Sequence, residues 1–297
     1  MKPASLILGL SASVVLNFAT TDASAKTLQV AASFSILADV VKQVGGDHVD
    51  VKSLVPPNGD PHEFEPSPDD ARSLKDANIA FISGEGLESW FERLAKAAGY
   101  KGKPIVVSTG IKIFKMEENG KTVSDPHVWN SAANVVVWVT NIEKALTEAD
   151  PEDSAYFKAN ATSYTKELQD LDAYAHSKIG VVPKDKRKVL TSHDAFGYFG
   201  KEYGVTFLSP LGISTETEAS AADIAKLIDQ IKKEHVKVYF FENSNDPRLV
   251  KQIASATGAE PGGDLYVESL SAADGPAPTY AKMFRYDVDR IAEAISK

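Results

Sequence analysis

Three histidines, His62, His127 and His193, recur at nearly equal intervals along the chain. Each falls in irregular sequence rather than on the apolar face of a helix or strand. His62 stands in Asp60-Pro61-His62-Glu63-Phe64-Glu65-Pro66, His127 follows Ser124-Asp125-Pro126, and His193 comes directly after the β-rich run 188–191. Proline and acidic neighbours argue against core filling for such side chains, although any one of them alone could be a solvated loop histidine. Together they suggest a metal site, because neutral imidazole is the commonest metal ligand. The other three histidines have structural readings. His48 opens a strand, His176 lies on a long helix, and His235 ends an amphipathic helix, where the dipole favours a cation.

The chain contains no cysteine. That excludes disulfides, iron–sulfur clusters, thiolate zinc fingers and cysteine nucleophiles, and leaves imidazole and carboxylate as the donors for a tight divalent site. Asp264 and Glu268 flank a short predicted strand over 265–267, and Glu242 follows another over 236–241. Ligands of α/β sheets gather at the carboxyl ends of strands, which favours Glu268 and Glu242 over Asp264. Asp60, Asp125 and Asp194 are close enough in sequence to orient the imidazoles. Three histidines with an open fourth position would instead suit a secreted zinc hydrolase, with Glu63, Glu65 or Glu268 as base. The zinc-protease H-E-x-x-H is absent, however, since Pro66 stands where its helix would continue. Phosphate-loop, dinucleotide and nucleophile-elbow motifs are absent too. The expectation is a binding protein, not an enzyme. A small-molecule binding protein or adhesin with incidental histidines is a third possibility.

The elements that must position these residues alternate. Strands are predicted over 27–32, 49–55, 78–83 and 104–107, with helices over 36–44, from Pro68, and over 87–98. This βαβα order indicates a mostly parallel sheet flanked by helices. The segment 151–179 follows, with Phe157, Ala161, Tyr164, Leu168, Leu171, Ala175 and Ile179 in steps of three and four, a continuous helical stripe. Pro151 suits its first turn, and Gly180 and Pro183 stop it. It reads as a rigid rod joining two lobes rather than a helix packed on one, because a second βα series begins beyond it. Strands over 188–191, 205–208, 236–241 and 265–267 alternate there with helices over 195–203, 220–234, 246–257 and 279–295. The predicted division is an export signal over 1–25, a first α/β lobe over 26–149, a linking helix over 150–182 and a second α/β lobe over 183–297.

A chain of 297 residues suits two domains. Its net charge of −9 argues against nucleic-acid binding. Lys2, an apolar stretch over 6–16 and Ala23-Ser24-Ala25 match an export signal cleaved before Lys26. No later segment is apolar enough to span a membrane, and a lipid anchor is not expected without a cysteine. The expected location is the periplasm.

Four segments resemble those of the periplasmic metal-binding proteins of zinc and manganese ABC importers (the cluster A-I, or cluster 9, family). They are Asp60–Pro66, Asp125-Pro126-His127-Val128-Trp129, Thr191-Ser192-His193-Asp194-Ala195-Phe196-Gly197-Tyr198-Phe199, and Leu265–Ser271 with Gly275-Pro276-Ala277-Pro278-Thr279-Tyr280. The resemblance covers essentially the whole chain after the signal. It implies two α/β lobes joined by one long rigid helix, a metal ion between them, and delivery of that ion to a membrane permease by a monomeric carrier. His62, His127 and His193 match three ligand positions, and Glu268 falls where the family usually has aspartate. The segment 114–123 lacks the long His- and acid-rich loop of many zinc members, with only Glu117, Glu118 and an Asn119-Gly120 turn. Three imidazoles and one carboxylate favour Zn2+ over the harder Mn2+, with iron a minor outcome.

Overall fold

The computed structural model describes residues 27–297 apart from Asn119 and Thr217; the predicted signal over 1–25 lies outside the described residues. Strands β1 (Leu28–Phe34), β2 (Val49–Val55), β3 (Ile79–Ile82) and β4 (Ile105–Val106) form a parallel sheet in the order β2-β1-β3-β4. Helices α1 (Ser35–Gly45), α2 (Pro68–Asp76) and α3 (Phe91–Ala98) connect them. β1 is central and buried along nearly its whole length, as its Val-Ala-Ala-Ser-Phe run requires of a strand covered on both faces. α2 starts on a capping box, in which the Ser67 hydroxyl and the Asp70 carboxylate satisfy each other's backbone amides, with Pro68 in the first turn.

The second sheet is also parallel. It runs β10-β9-β7-β8, from β7 (Lys188–Leu190), β8 (Thr206–Leu208), β9 (Val238–Glu242) and β10 (Glu260–Leu265). Its helices are α6 (Gly197–Tyr203), α7 (Ala221–Glu234), α8 (Arg248–Thr257) and α9 (Tyr280–Ile295). β10 differs from the expected strand over 265–267. It begins five residues earlier, on Glu260-Pro261-Gly262-Gly263, a stretch with little strand propensity. Pairing with β9 fixes it, and a register shift between Pro261 and Gly263 absorbs the misfit. Pro261 is tolerated because β10 is an edge strand.

Helix α5 (Ser154–Gly180) has 27 residues, about 40 Å at 1.5 Å per residue. Its buried residues are Phe157, Ala161, Tyr164, Leu168, Leu171, Ala175 and Ile179, the stripe predicted from spacing. It packs against α1 and α4 (Ala132–Ala149) of the first lobe and against α6 and α9 of the second. One apolar core therefore runs from β1 through α5 to Met283, Val288 and Ile291 of α9, so the rod is cemented to both lobes. A smaller separate core lies between α7, α8 and β9, around Leu227, Ile231, Val250 and Ile253.

One helix and one hairpin carry no clear local signal in the sequence. α4 (Ala132–Ala149) buries Val135, Trp138, Val139, Ile142, Ala145 and Leu146. Its β-branched Val135-Val136-Val137 run blurs the helical period, and packing overrides that local preference. The segment 114–124 holds an antiparallel hairpin, β5 (Lys115–Glu118) with β6 (Lys121–Ser124). Among the described residues no helix is long and apolar enough to cross a membrane.

Candidate metal centre

Each of the three histidines is presented by a loop whose backbone is tied to a carboxylate. Pro56-Pro57-Asn58-Gly59 ends β2, and the chain then turns on Asp60, whose Oδ1 accepts the backbone N–H of His62 at 2.7 Å. Asp60 Oδ2 accepts the hydroxyl of Thr215 from the second lobe at 2.8 Å. His127 sits between β6 and a 3-10 turn over Val128–Asn130. One oxygen, Asp125 Oδ1, accepts both its backbone N–H (3.0 Å) and its Nδ1–H (2.9 Å). His193 follows β7. Glu242, the last residue of β9, accepts the backbone N–H groups of Ser192 (2.8 Å) and His193 (3.2 Å) on Oε1 and the His193 Nδ1–H on Oε2 (2.5 Å). Asn245 Nδ2 donates to the same Oε2. With their Nδ1 protons held outward, His127 and His193 turn Nε2 inward, the nitrogen left to bind a cation once it gives up its proton.

Glu268 lies just beyond β10, in a loop bound to the first lobe. Trp129 Nε1 donates to Val267 O at 2.7 Å, Leu270 N donates to Ser35 Oγ at 3.0 Å, and Asn58 N donates to Leu270 O at 3.0 Å. These bonds carry Glu268 Oε1 to 2.8 Å from His62 Nε2, 3.1 Å from His127 Nε2 and 3.3 Å from His193 Nε2, and the first two imidazole nitrogens lie 3.3 Å apart. Four ligands around a tetrahedral ion at about 2.0–2.1 Å stand about 3.3–3.4 Å from one another, so the cluster is already near coordination size. His193 Nε2 and Glu268 Oε2 are buried and have no hydrogen-bond partner among the described residues. Buried polar atoms without partners are costly, and a bound cation would satisfy both.

The electrostatics of the four groups are mutual. Burial by itself would push His193 down; Glu242 and Glu268 outweigh it and hold the imidazole well above its ordinary range. His127 is treated alike, with Asp125 and Glu268 overcoming burial to raise it. Burial would raise Glu268, yet His193, His62 and His127 bring it well below the carboxylate range. Asp60 is raised, first by burial and then by the charge of Glu268. The metal-free cluster thus holds protons on imidazole around an ionised carboxylate, and a divalent cation would replace those protons.

All four residues expected from the sequence come together, two from each lobe. Asp264 does not join them: it lies on β10 and is exposed. Glu242 contacts His193 Nδ1 and orients it, rather than entering the group of four. The sequence signal for Glu242, a carboxylate at the carboxyl end of a strand, located it without fixing its role. Asp194 N donates to Gly212 O, and its neighbour His193 is oriented by Glu242. Of the other histidines, His48 pairs with Asp153, and His235 caps α7 in the left-handed conformation. His176 stands at the surface with Asp172 and Glu202, a second cluster near metal-binding spacing.

The chain matches the family described as "ZnuA: Zinc-uptake complex component A periplasmic" over residues 30–294. It is 33% identical over 282 residues to the manganese ABC transporter substrate-binding lipoprotein PsaA of Streptococcus mitis, covering 93% of this chain and 91% of that one. It is 34% identical to the iron ABC transporter substrate-binding lipoprotein MtsA of Streptococcus pyogenes, covering 100% of this chain and 99% of that one. Among solved structures, the fold is similar to the periplasmic zinc-binding protein TroA of Treponema pallidum, with TM-score 0.86, 27% identity and coverage of 91% and 100% of the two chains. It is also similar to the Mn-bound periplasmic metal-binding protein of Candidatus Liberibacter asiaticus, with TM-score 0.81, 30% identity and coverage of 90% and 98%.

Proposed function

The chain belongs to the periplasmic metal-binding family of ABC importers, and from that premise we propose that it captures Zn2+ between its lobes on His62, His127, His193 and Glu268 and delivers it to a membrane permease. Metal capture and delivery for an ABC importer is the function of the family; the choice of zinc and the ligand set are this reading's own. One observation carries it. Four buried donors from four separated loops converge at ion-binding separation, with two of their buried polar atoms left without hydrogen bonds among the described residues.

Zinc is favoured by the donor set. Three imidazoles and one carboxylate suit a borderline ion content with four ligands, whereas manganese prefers more oxygen and higher coordination. The relatives are named for manganese, iron and zinc, so donor chemistry rather than likeness favours zinc. Glu268, one methylene longer than aspartate, reaches the three imidazoles from its own loop. The division into lobes over 26–149 and 183–297 around the linking helix, export through the signal over 1–25, periplasmic residence, and a monomeric carrier complete the reading.

The test is metal analysis of the purified chain, with competitive titration by zinc and manganese. One zinc per chain, held against excess manganese, is the expected result, together with a rise in melting temperature that grows with free zinc by mass action. Preference for manganese would overturn the choice of metal. No melting shift with either ion would overturn the carrier reading.

A further inference from the structure

At the base of the hairpin, Phe114 and Asp125 lie opposite each other, one step beyond the paired residues Lys115 and Ser124. Asp125 N donates to Phe114 O at 2.9 Å. In an antiparallel ladder such a pair exchanges two bonds, and the second would run from Phe114 N–H to Asp125 O. Tyr198 stands in its place. Its hydroxyl accepts the Phe114 N–H at 3.0 Å and donates to Asp125 O at 3.2 Å. The Tyr198 ring stacks on Phe114 with centroids 4.2 Å apart, which aims the hydroxyl between the two strands.

Tyr198 is buried and belongs to α6 of the second lobe, whereas the hairpin belongs to the first. Asp125 is also the residue whose Oδ1 accepts both the backbone N–H and the Nδ1–H of His127. A hydroxyl from one lobe therefore fixes the backbone of the residue that orients a proposed ligand in the other. Two neighbours of Tyr198 act at the same seam. Gly197 leaves room for Asp125 Oδ2, and Ala195 O accepts the side-chain amide of Asn130 at 3.0 Å, three residues beyond His127. The segment 193–198 thus presents His193 and also holds the loop that presents His127.

Resting on the proposed ligand set, we propose that Tyr198 is a positioning residue for metal binding: its hydroxyl, inserted in the hairpin ladder, sets where Asp125 stands and so ties the aim of His127 to the second lobe. Phenylalanine at this position keeps the ring stack and loses both hydrogen bonds. The direct bond from Phe114 N–H to Asp125 O is then free to form, and forming it draws the Asp125 backbone toward Phe114 and its carboxylate off His127. Without that direct bond, both groups lose their partner and the hairpin base loosens. Either way the acceptor of the His127 Nδ1–H moves. Groups that orient a metal-binding imidazole are worth about 10–100-fold in affinity, and Tyr198 acts one residue further out, at the lower end of that range.

The test is zinc titration against a competing chelator in the wild-type chain, Tyr198→Phe and Tyr203→Phe. Tyr203 lies on the same helix and donates its hydroxyl to Asp172 Oδ1 at 2.8 Å, so its variant loses a comparable bond away from the site. Tyr198→Phe should bind zinc about tenfold more weakly. Tyr203→Phe should stay within about twofold of wild type, because it shares no partner with the site. In the metal-free chain, nuclear magnetic resonance should show the imidazole Nδ1–H of His127 shifting in Tyr198→Phe while that of His193, held by Glu242, stays. Undiminished zinc affinity in Tyr198→Phe, an equal loss in Tyr203→Phe, or equal shifts of the two imidazoles would overturn the positioning role. Should Tyr198→Phe fail to fold, hydrogen exchange in the wild type decides: the Phe114 amide should be protected, and exchange at the rate of an open amide would overturn the proposal. Failure of the wild-type chain to bind zinc at all would instead overturn the carrier reading.

Discussion

Replacing Glu242 by Gln removes one negative charge and leaves the shape of the side chain unchanged, so it isolates the orienting role of this carboxylate. Glu242 accepts the backbone N–H groups of Ser192 and His193 on Oε1, and the His193 Nδ1–H and the Asn245 amide on Oε2. A glutamine can meet only one of these demands. If its carbonyl stays on the two backbone donors, its NH2 faces the imidazole. His193 must then accept at Nδ1 and carry its proton on Nε2, the nitrogen proposed to bind the metal. The same NH2 also meets the Asn245 amide, donor against donor. If the amide turns over, Nδ1–H keeps an acceptor, but two buried backbone donors lose theirs, at about 1–3 kcal/mol for each. Both outcomes weaken the site. Loss of such an orienting carboxylate costs about 10–100-fold in metal affinity, which is about 1.4–2.7 kcal/mol. The assay is zinc titration against a competing chelator, with circular dichroism to establish that the variant is folded. A folded Glu242→Gln chain that binds zinc within about threefold of wild type would show that His193 keeps its tautomer without this carboxylate, and the reasoning would fail.

Two further outcomes follow from the same geometry. Because His127 and His193 are raised in the metal-free chain, their contribution to stability is complete below about pH 6.5 and is lost as pH rises through their raised values; the depressed Glu268 contributes above about pH 4.5 and loses that contribution only as pH falls through its own value. Metal must displace the imidazole protons, so the zinc-induced rise in melting temperature should be larger at about pH 8 than at about pH 5.5, and an increment independent of pH by differential scanning calorimetry would contradict the proton-for-metal exchange. Gly197→Ala should weaken zinc binding with little loss of stability, because its Cβ would lie 2.5 Å from Asp125 Oδ2 and displace the carboxylate that holds His127, while alanine is the better helix former; an unchanged zinc affinity would mean that Asp125 can retreat without disturbing His127.

The sequence by itself determined what is local. The stripe of α5 follows from side chains recurring every three or four residues, and the same seven residues are buried in the structure. The α2 start follows from Ser67, Pro68 and Asp70, three neighbours whose groups satisfy one another. The absence of cysteine restricted the donors to imidazole and carboxylate, and the three loop histidines followed from their neighbours. What the sequence left open was decided across the molecule. Asp264 and Glu268 stand four residues apart and have the same chemistry. Only the pairing of β10 with β9, imposed on a Pro-Gly-Gly stretch that would not choose it alone, leaves Asp264 exposed and carries Glu268 past the strand end. Glu242 could have been a ligand or an orienting group, and the choice depends on where β7 lies beside β9. α4 is a helix because its faces meet α1 and α5, against the preference of its valines. Local periodicity specifies which face of an element is apolar; burial of those faces against distant elements sets the separations of a few ångströms on which coordination depends.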